Sequence, residues 1–177
     1  MRFRAPLALI AVLIAGPAQA QIMGEFHRDL NEVQKKFIDL ANAMPESSLD
    51  WRPGPGVRSV REVFLHVAAD NYQIPTAWGK PAPATTGITS DYTTAGAFEK
   101  RALTKAQIVA ELTASFTHAH QALALTTDSN LSEKIKLFGQ DFTRGGGAVL
   151  FVTHIHEHLG QAIAYARSNK VVPPWSK

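Results

Sequence analysis

Seven histidines are spread along the chain, and three of them fall within five residues, His154-Ile155-His156-Glu157-His158. A helix advances about 100° per residue, so His154 and His158 lie within about 40° of each other, one turn apart. Two imidazoles at that spacing can reach one ion. His156 points about 200° away from His154 and cannot join them. The neighbours Phe151, Val152, Ile155, Leu159 and Ala162 make this stretch apolar over much of its circumference. Imidazoles on a buried helix must find partners or bear the cost of desolvation. A metal satisfies both nitrogens at once; ordinary hydrogen bonds are the commoner solution for an isolated HxxxH.

His66 adds a third imidazole, set among Val63, Phe64 and Val67 and so drawn toward a core. Three imidazoles from two helices, with a fourth position left for water, form the donor set of an open zinc-type site. The pentapeptide also matches H-x-x-E-H, the inverzincin protease pattern. That chemistry needs an acidic ligand further downstream, and none of the 19 residues after His158 is Asp or Glu. The protease reading is excluded. His118 and His120, two apart on different faces of a helix, are expected to be solvated together with His27.

The elements that must carry these residues are helical. From about Glu25 to Met44 the apolar positions Phe26, Leu30, Val33, Phe37, Leu40, Ala41 and Met44 recur at steps of three and four, which marks one helix face. Pro45 stops it, and a Pro- and Gly-containing loop follows to Val57. Ser59-Val60-Arg61-Glu62 reads as a capping box opening a helix that runs to about Ile74. Thr104-Lys105-Ala106-Gln107 is a second such box, and its helix ends near Thr126. Thr143 is placed to cap the last helix, which runs from Gly145–Gly147 to about Ser168, with Asn169 as a left-handed C-terminal cap. Ile135, Leu137 and Phe142 suit a short extended or irregular piece. Four helices of about 16–24 residues are roughly 24–36 Å long at 1.5 Å per residue, the scale of a bundle. The fold class is all-α, one domain, a four-helix bundle. The segment from Thr76 to Phe98 exceeds twenty residues, and connections of that length are usually functional or hold short turns of their own.

Residues 1–20 read as a signal peptide. Arg2 and Arg4 form a basic start, Leu7 to Ala15 an apolar run too short to span a bilayer, and Ala18-Gln19-Ala20 a small-x-small cleavage pattern. The expectation is cleavage after Ala20, a mature domain of residues 21–177, and a periplasmic or secreted location. No other stretch is apolar enough to be transmembrane, so no membrane partner is expected after cleavage. The chain has 18 basic and 15 acidic side chains. Without the two signal arginines the excess falls to a single charge, and no basic stripe suits a phosphate backbone; nucleic-acid binding is not expected. Zero cysteines exclude disulfides and a lipoprotein anchor.

Two motifs then resemble the DinB-like (DinB/YfiT) family. Leu49-Asp50-Trp51-Arg52-Pro53, with Arg58-Ser59-Val60-Arg61-Glu62 and His66-Val67-Ala68, is similar to its first signature. His154 to His158, Gly160-Gln161, Arg167 and Pro173-Pro174 are similar to its second. The resemblance spans nearly all of the mature chain. It implies an up-up-down-down or similarly wound four-helix bundle, often a homodimer. It also implies a histidine triad carried by His66, His154 and His158, holding a divalent metal, zinc first and nickel or iron as alternatives. Family activities include thiol-dependent transferases and isomerases, so a metal-dependent hydrolase or transferase acting on an unidentified small molecule is expected. Export from the main cytosolic thiol pool weakens the transferase branch. Gln161, Asn71 and Glu157 are the candidates for orienting a ligand or water beside the triad, Gln161 being equally suited to helix capping or a dimer contact. The alternative is a non-catalytic, stress-related bundle that keeps its metal as a structural or sensory element.

Overall fold

The computed structural model describes residues 18–127 and 129–176. Its elements are α1 (Ala18–Ala43), α2 (Val60–Gln73), α3 (Thr93–Glu99), α4 (Lys105–Leu123), β1 (Lys134–Leu137), β2 (Gln140–Thr143) and α5 (Arg144–Ser168), with short 3-10 turns between them. Most of the expected signal peptide lies outside the described residues, and the expected cut after Ala20 falls in the first turn of α1 as described. No helix among the described residues is long and apolar enough to cross a membrane.

The helix boundaries follow local chemistry. Ser59 accepts from the Glu62 amide while the Glu62 carboxylate accepts from the Ser59 amide, and Thr104 and Gln107 do the same for α4. These pairs satisfy amides that a helix start leaves without partners. Thr143 caps α5 by accepting from Gly146 N at 3.0 Å. At the other end, the expected left-handed Asn169 is corrected: Asn169 has φ −93°, and Lys170 takes the left-handed conformation at φ 62°. Val171 N donates to Ala166 O and Lys170 N to Arg167 O, the paired bonds of a Schellman end. The helix closes one residue later than its composition suggests, with Asn169 Nδ2 bonding back to Tyr165 O.

The four long helices form a ring in which α1 packs on α4, α4 on α2, α2 on α5 and α5 on α1. Contacts between named partners set their directions. Phe37 meets Phe116 and Asn42 meets Lys105, so α1 and α4 are antiparallel. Arg61 reaches Leu103 O and Asn71 reaches Ser115, so α2 and α4 run the same way. His66 faces His158 and Asp70 faces His154, so α2 and α5 are antiparallel. The winding is therefore up-down-down-up, one of the similarly wound forms and not up-up-down-down itself.

That winding explains the long segment after α2. Two consecutive helices pointing the same way need a connection that returns the length of the bundle. The chain from Ile74 to Thr104 makes that return through two 3-10 turns and α3. The core sits inside the ring, with Phe37, Phe64, Phe116 and Phe151 fully buried and Phe37 touching both Phe64 and Phe116. Each such ring contributes on the order of 1.5–3 kcal/mol by leaving water. The irregular piece expected around Ile135 is a two-stranded hairpin, β1 pairing antiparallel with β2, Ile135 opposite Phe142. Its inward residues Ile135 and Leu137 are buried, so the hairpin packs as a flap against the bundle.

Candidate metal centre

The antiparallel pairing of α2 with α5 sets His66 opposite His158 and Asp70 opposite His154. The Nε2 atoms of His66 and His158 lie 2.9 Å apart. Asp70 Oδ2 lies 2.8 Å from His154 Nε2 and 3.1 Å from His66 Nε2. One donor atom from each of these four residues falls within 4.8 Å of every other. The rings are edge to face, with centroids 4.3 Å apart for His66–His158 and 4.5 Å for His154–His158. The group is nearly shielded from solvent on the α2 side: the side chains of His66 and Asp70 are 12% and 8% exposed, that of His154 29%.

The remaining ring nitrogens are held from behind. His66 Nδ1 donates to Glu99 Oε1 at 2.7 Å, since an ionised carboxylate only accepts. Glu99 in turn accepts two bonds from Arg58, at 2.8 and 3.3 Å. His158 Nδ1 donates to Gln161 Oε1 at 3.0 Å, and Gln161 Nε2 donates to the Tyr165 hydroxyl. With Nδ1 of each ring bonded outward, His66 and His158 turn their Nε2 atoms to each other across 2.9 Å. Two imidazole nitrogens at that distance share either a proton or a metal ion. Carboxylate or amide partners behind ligating imidazoles are the usual support of a metal site, and imidazole with carboxylate suits zinc, nickel or iron. The residues present fit a divalent ion.

The charges agree with that arrangement. Burial raises the Glu99 carboxyl, but the bonds from His66 and Arg58 outweigh it and hold the group below its ordinary value. The hydrogen bond to Asp70 raises His154 against the opposing effect of burial. Burial lowers His158, and the nearby His66 and His154 lower it further.

The three expected imidazoles thus meet, and Gln161 stands behind one of them. Asn71 is corrected: it is fully buried but turned to α4, donating to Ser115 Oγ at 3.2 Å. One residue past Asp70, it is rotated about 100° around the helix. Glu157 is exposed and reaches the site only through its charge, which raises His154. His118 is corrected as well, being buried against Tyr72 with ring centroids 5.4 Å apart. His27 and His120 are half-buried and stacked at 6.2 Å. His156 faces outward, as its angle requires, and pairs with Asp29 at 2.7 Å.

Two acidic residues were missed. Asp70 had a local signal, the same i, i+4 spacing from His66 that joins His154 to His158. Glu99 had none: it lies on α3, 33 residues from His66, in a segment without strong periodicity. Three of the four donors, His66, Asp70 and His154, line a cleft of about 350 Å³ together with Glu99, Tyr92 and Phe138, among others.

The model of the DinB superfamily matches residues 29–162. The chain belongs to the DinB superfamily. Among curated proteins none matches it in sequence. Solved structures share the fold. A DinB-like protein from Bacillus cereus superposes with a TM-score of 0.70 at 18% identity, covering 85% of this chain and 95% of that one. YfiT from Bacillus subtilis, described as a probable metal-dependent hydrolase with an unusual four-helix bundle topology, gives 0.68 at 19% identity over 89% and 92%. A conserved protein from Enterococcus faecalis gives 0.66 at 17% over 82% and 95%. Within this DinB-superfamily bundle, the motif histidines stand where the four donors converge.

Proposed function

We propose that the protein is a metal-dependent hydrolase of the DinB-like family, with its divalent ion held by His66, His154, His158 and Asp70. The observation that carries the reading is the convergence of three Nε2 atoms and one carboxylate oxygen within 4.8 Å, with Glu99 and Gln161 fixing two of the rings from behind. Zinc is the first candidate, with nickel or iron as alternatives. When bound, such an ion supplies Lewis acidity toward a substrate oxygen and brings the pKa of a water into the neutral range. The protein's own groups do the rest. Both imidazole contacts of Asp70 fall on Oδ2, which leaves Oδ1 to accept a proton from water in the cleft. Arg58 keeps Glu99 in place, and Glu99 keeps the His66 ring turned inward. The description of YfiT as a hydrolase supports the class of reaction. The export signal read from residues 1–20 favours it over thiol transfer, since export would separate the protein from cytosolic thiols.

A second reading has its own observation. Four protein donors are also the composition of a closed structural site, so the ion would serve folding in a non-catalytic bundle. The periplasmic or secreted location rests on the export signal in the sequence, and the homodimer on the family resemblance.

The test is metal analysis of the natively purified chain, repeated for His66→Ala, His158→Ala and Asp70→Ala, followed by ester hydrolysis before and after chelation. About one ion per chain, lost in the histidine variants, with chelator-sensitive turnover, is the expected result. No ion after purification and none on reconstitution defeats the reading. A large loss of thermal stability on chelation without any turnover favours the structural ion.

A further inference from the structure

The loop of the β1–β2 hairpin is two residues long, Phe138-Gly139, with φ of 52° and 75°. Two-residue hairpin loops with both φ values positive are built from Asn, Asp or Gly at the first position, because a larger side chain crowds its own backbone there. Phenylalanine is among the least suited residues for it. Core packing does not require the ring either, for Phe138 is 51% exposed. Strained, exposed residues of this sort concentrate where function demands them. Phe138 lines the metal-centre cleft, together with Tyr92, which is 68% exposed. The same two rings and Gln73 also line the adjoining cleft of about 330 Å³, so they stand at the divide between the two hollows. The wall of the metal-centre cleft includes Ala95 and Gly96, which leave room beside the rings.

We propose that Phe138 and Tyr92 are the substrate-recognition residues of this site, gripping a flat apolar group next to the polar group presented to the metal donors. The substrate class is a small organic molecule with an aromatic or similarly planar part. The inference rests on the hydrolase reading above and adds to it the shape of what is bound. A cleft near 350 Å³ holds a small molecule, since such pockets run from about 300 to 1,000 Å³. The one strong cation in the wall, Arg58, is already taken by Glu99 in a two-bond pair, so the cleft makes no demand for an anionic substrate. Two open aromatic faces are what remain to select a ligand, and ring–ring contacts are geometrically selective as well as apolar.

Two metal-binding probes of equal head group and different tail test this. The full chain loaded with zinc is titrated calorimetrically with benzohydroxamate and with acetohydroxamate. Benzohydroxamate is expected to bind about tenfold more tightly, as two ring contacts of the usual strength allow. In Phe138→Asn and Tyr92→Ala the preference falls toward one. Phe138→Asn carries a second readout independent of any metal, because relief of the turn should raise the Tm of the metal-free protein by about 2–4 °C. Equal affinity for the two probes, or a preference that survives both substitutions, overturns the recognition role while leaving the metal site intact. Failure to take up zinc or nickel at all is seen before any titration, and it sinks both readings together.

Discussion

The Nε2 atoms of His66 and His158 stand 2.9 Å apart although 92 residues separate them in the chain. Their outer nitrogens are tied to Glu99 and to Gln161, so each ring has one orientation available. Two imidazole nitrogens this close share a proton or a metal ion, and the Asp70 carboxylate adds negative charge to the same point. Under the metal-binding reading proposed above, the site is a cation trap.

Glu99 tests the support of that trap. Glu99→Gln keeps the side-chain size but removes the charge that orients His66 and pairs with Arg58. Metal affinity should fall by about 10–100-fold, the usual effect of losing such an outer partner. Glu157→Gln, on the exposed side of α5, makes no hydrogen bond to the site and is the matching control, expected to change affinity far less. Competition with a fluorescent chelator measures both. Wild-type affinity in Glu99→Gln would remove the orienting role.

Acid stability tests the cap of α2. Burial raises Glu62, but bonds from Lys100 and the Ser59 amide, together with the charges of Lys100 and Arg52, bring its pKa down to about 2. Its unfolded value is about 4.3. Because the folded value is the lower, the stabilisation is complete above about pH 5 and is lost as pH falls through about 4 toward 2. Glu62→Gln should cost about 1–2 kcal/mol at pH 6. Urea midpoints of the two proteins should converge as the pH is lowered to about 2. A gap that stays constant with pH would show that the charge of Glu62 is not the source.

Two glycines of α5 should respond with opposite sign. A Cβ at Gly160 meets nothing within 4 Å, so Gly160→Ala should gain up to about 1 kcal/mol of helix propensity. A Cβ at Gly147 would stand 2.8 Å from Ile135 Cδ1 and 3.2 Å from Trp78 Cζ2. There overpacking, at about 1–3 kcal/mol, exceeds the propensity gain, and Gly147→Ala should lower the Tm. Thermal melts of the two variants decide the matter; stabilisation of both would mean that the hairpin yields readily to α5.

Helix positions and the starts of α2, α4 and α5 were legible in the residues, because capping side chains and apolar steps of three and four are local. Ser59-Glu62 and Thr104-Gln107 bracket the helices they open. The stacking of His154 over His158 follows from helix geometry alone, as does the outward turn of His156. Asp70 was equally available from its spacing to His66. Asn71 shows the limit of such reasoning, since its neighbourhood suggested the site while one further residue of rotation carries it to α4. His118 was misjudged for a related reason: its own helix does not reveal that Tyr72 will cover it.

What only the tertiary structure decided is where the helices meet. The parallel run of α2 and α4 forces a long return through Ile74 to Thr104, and that return delivers Glu99 and Tyr92 to the cleft. The hairpin between α4 and α5 delivers Phe138. None of these three carries a periodic signal, because their places depend on how a connection crosses a finished bundle. Periodicity records which face of a helix is apolar. It does not record which helix that face will meet, and the candidate metal centre lies at such a meeting.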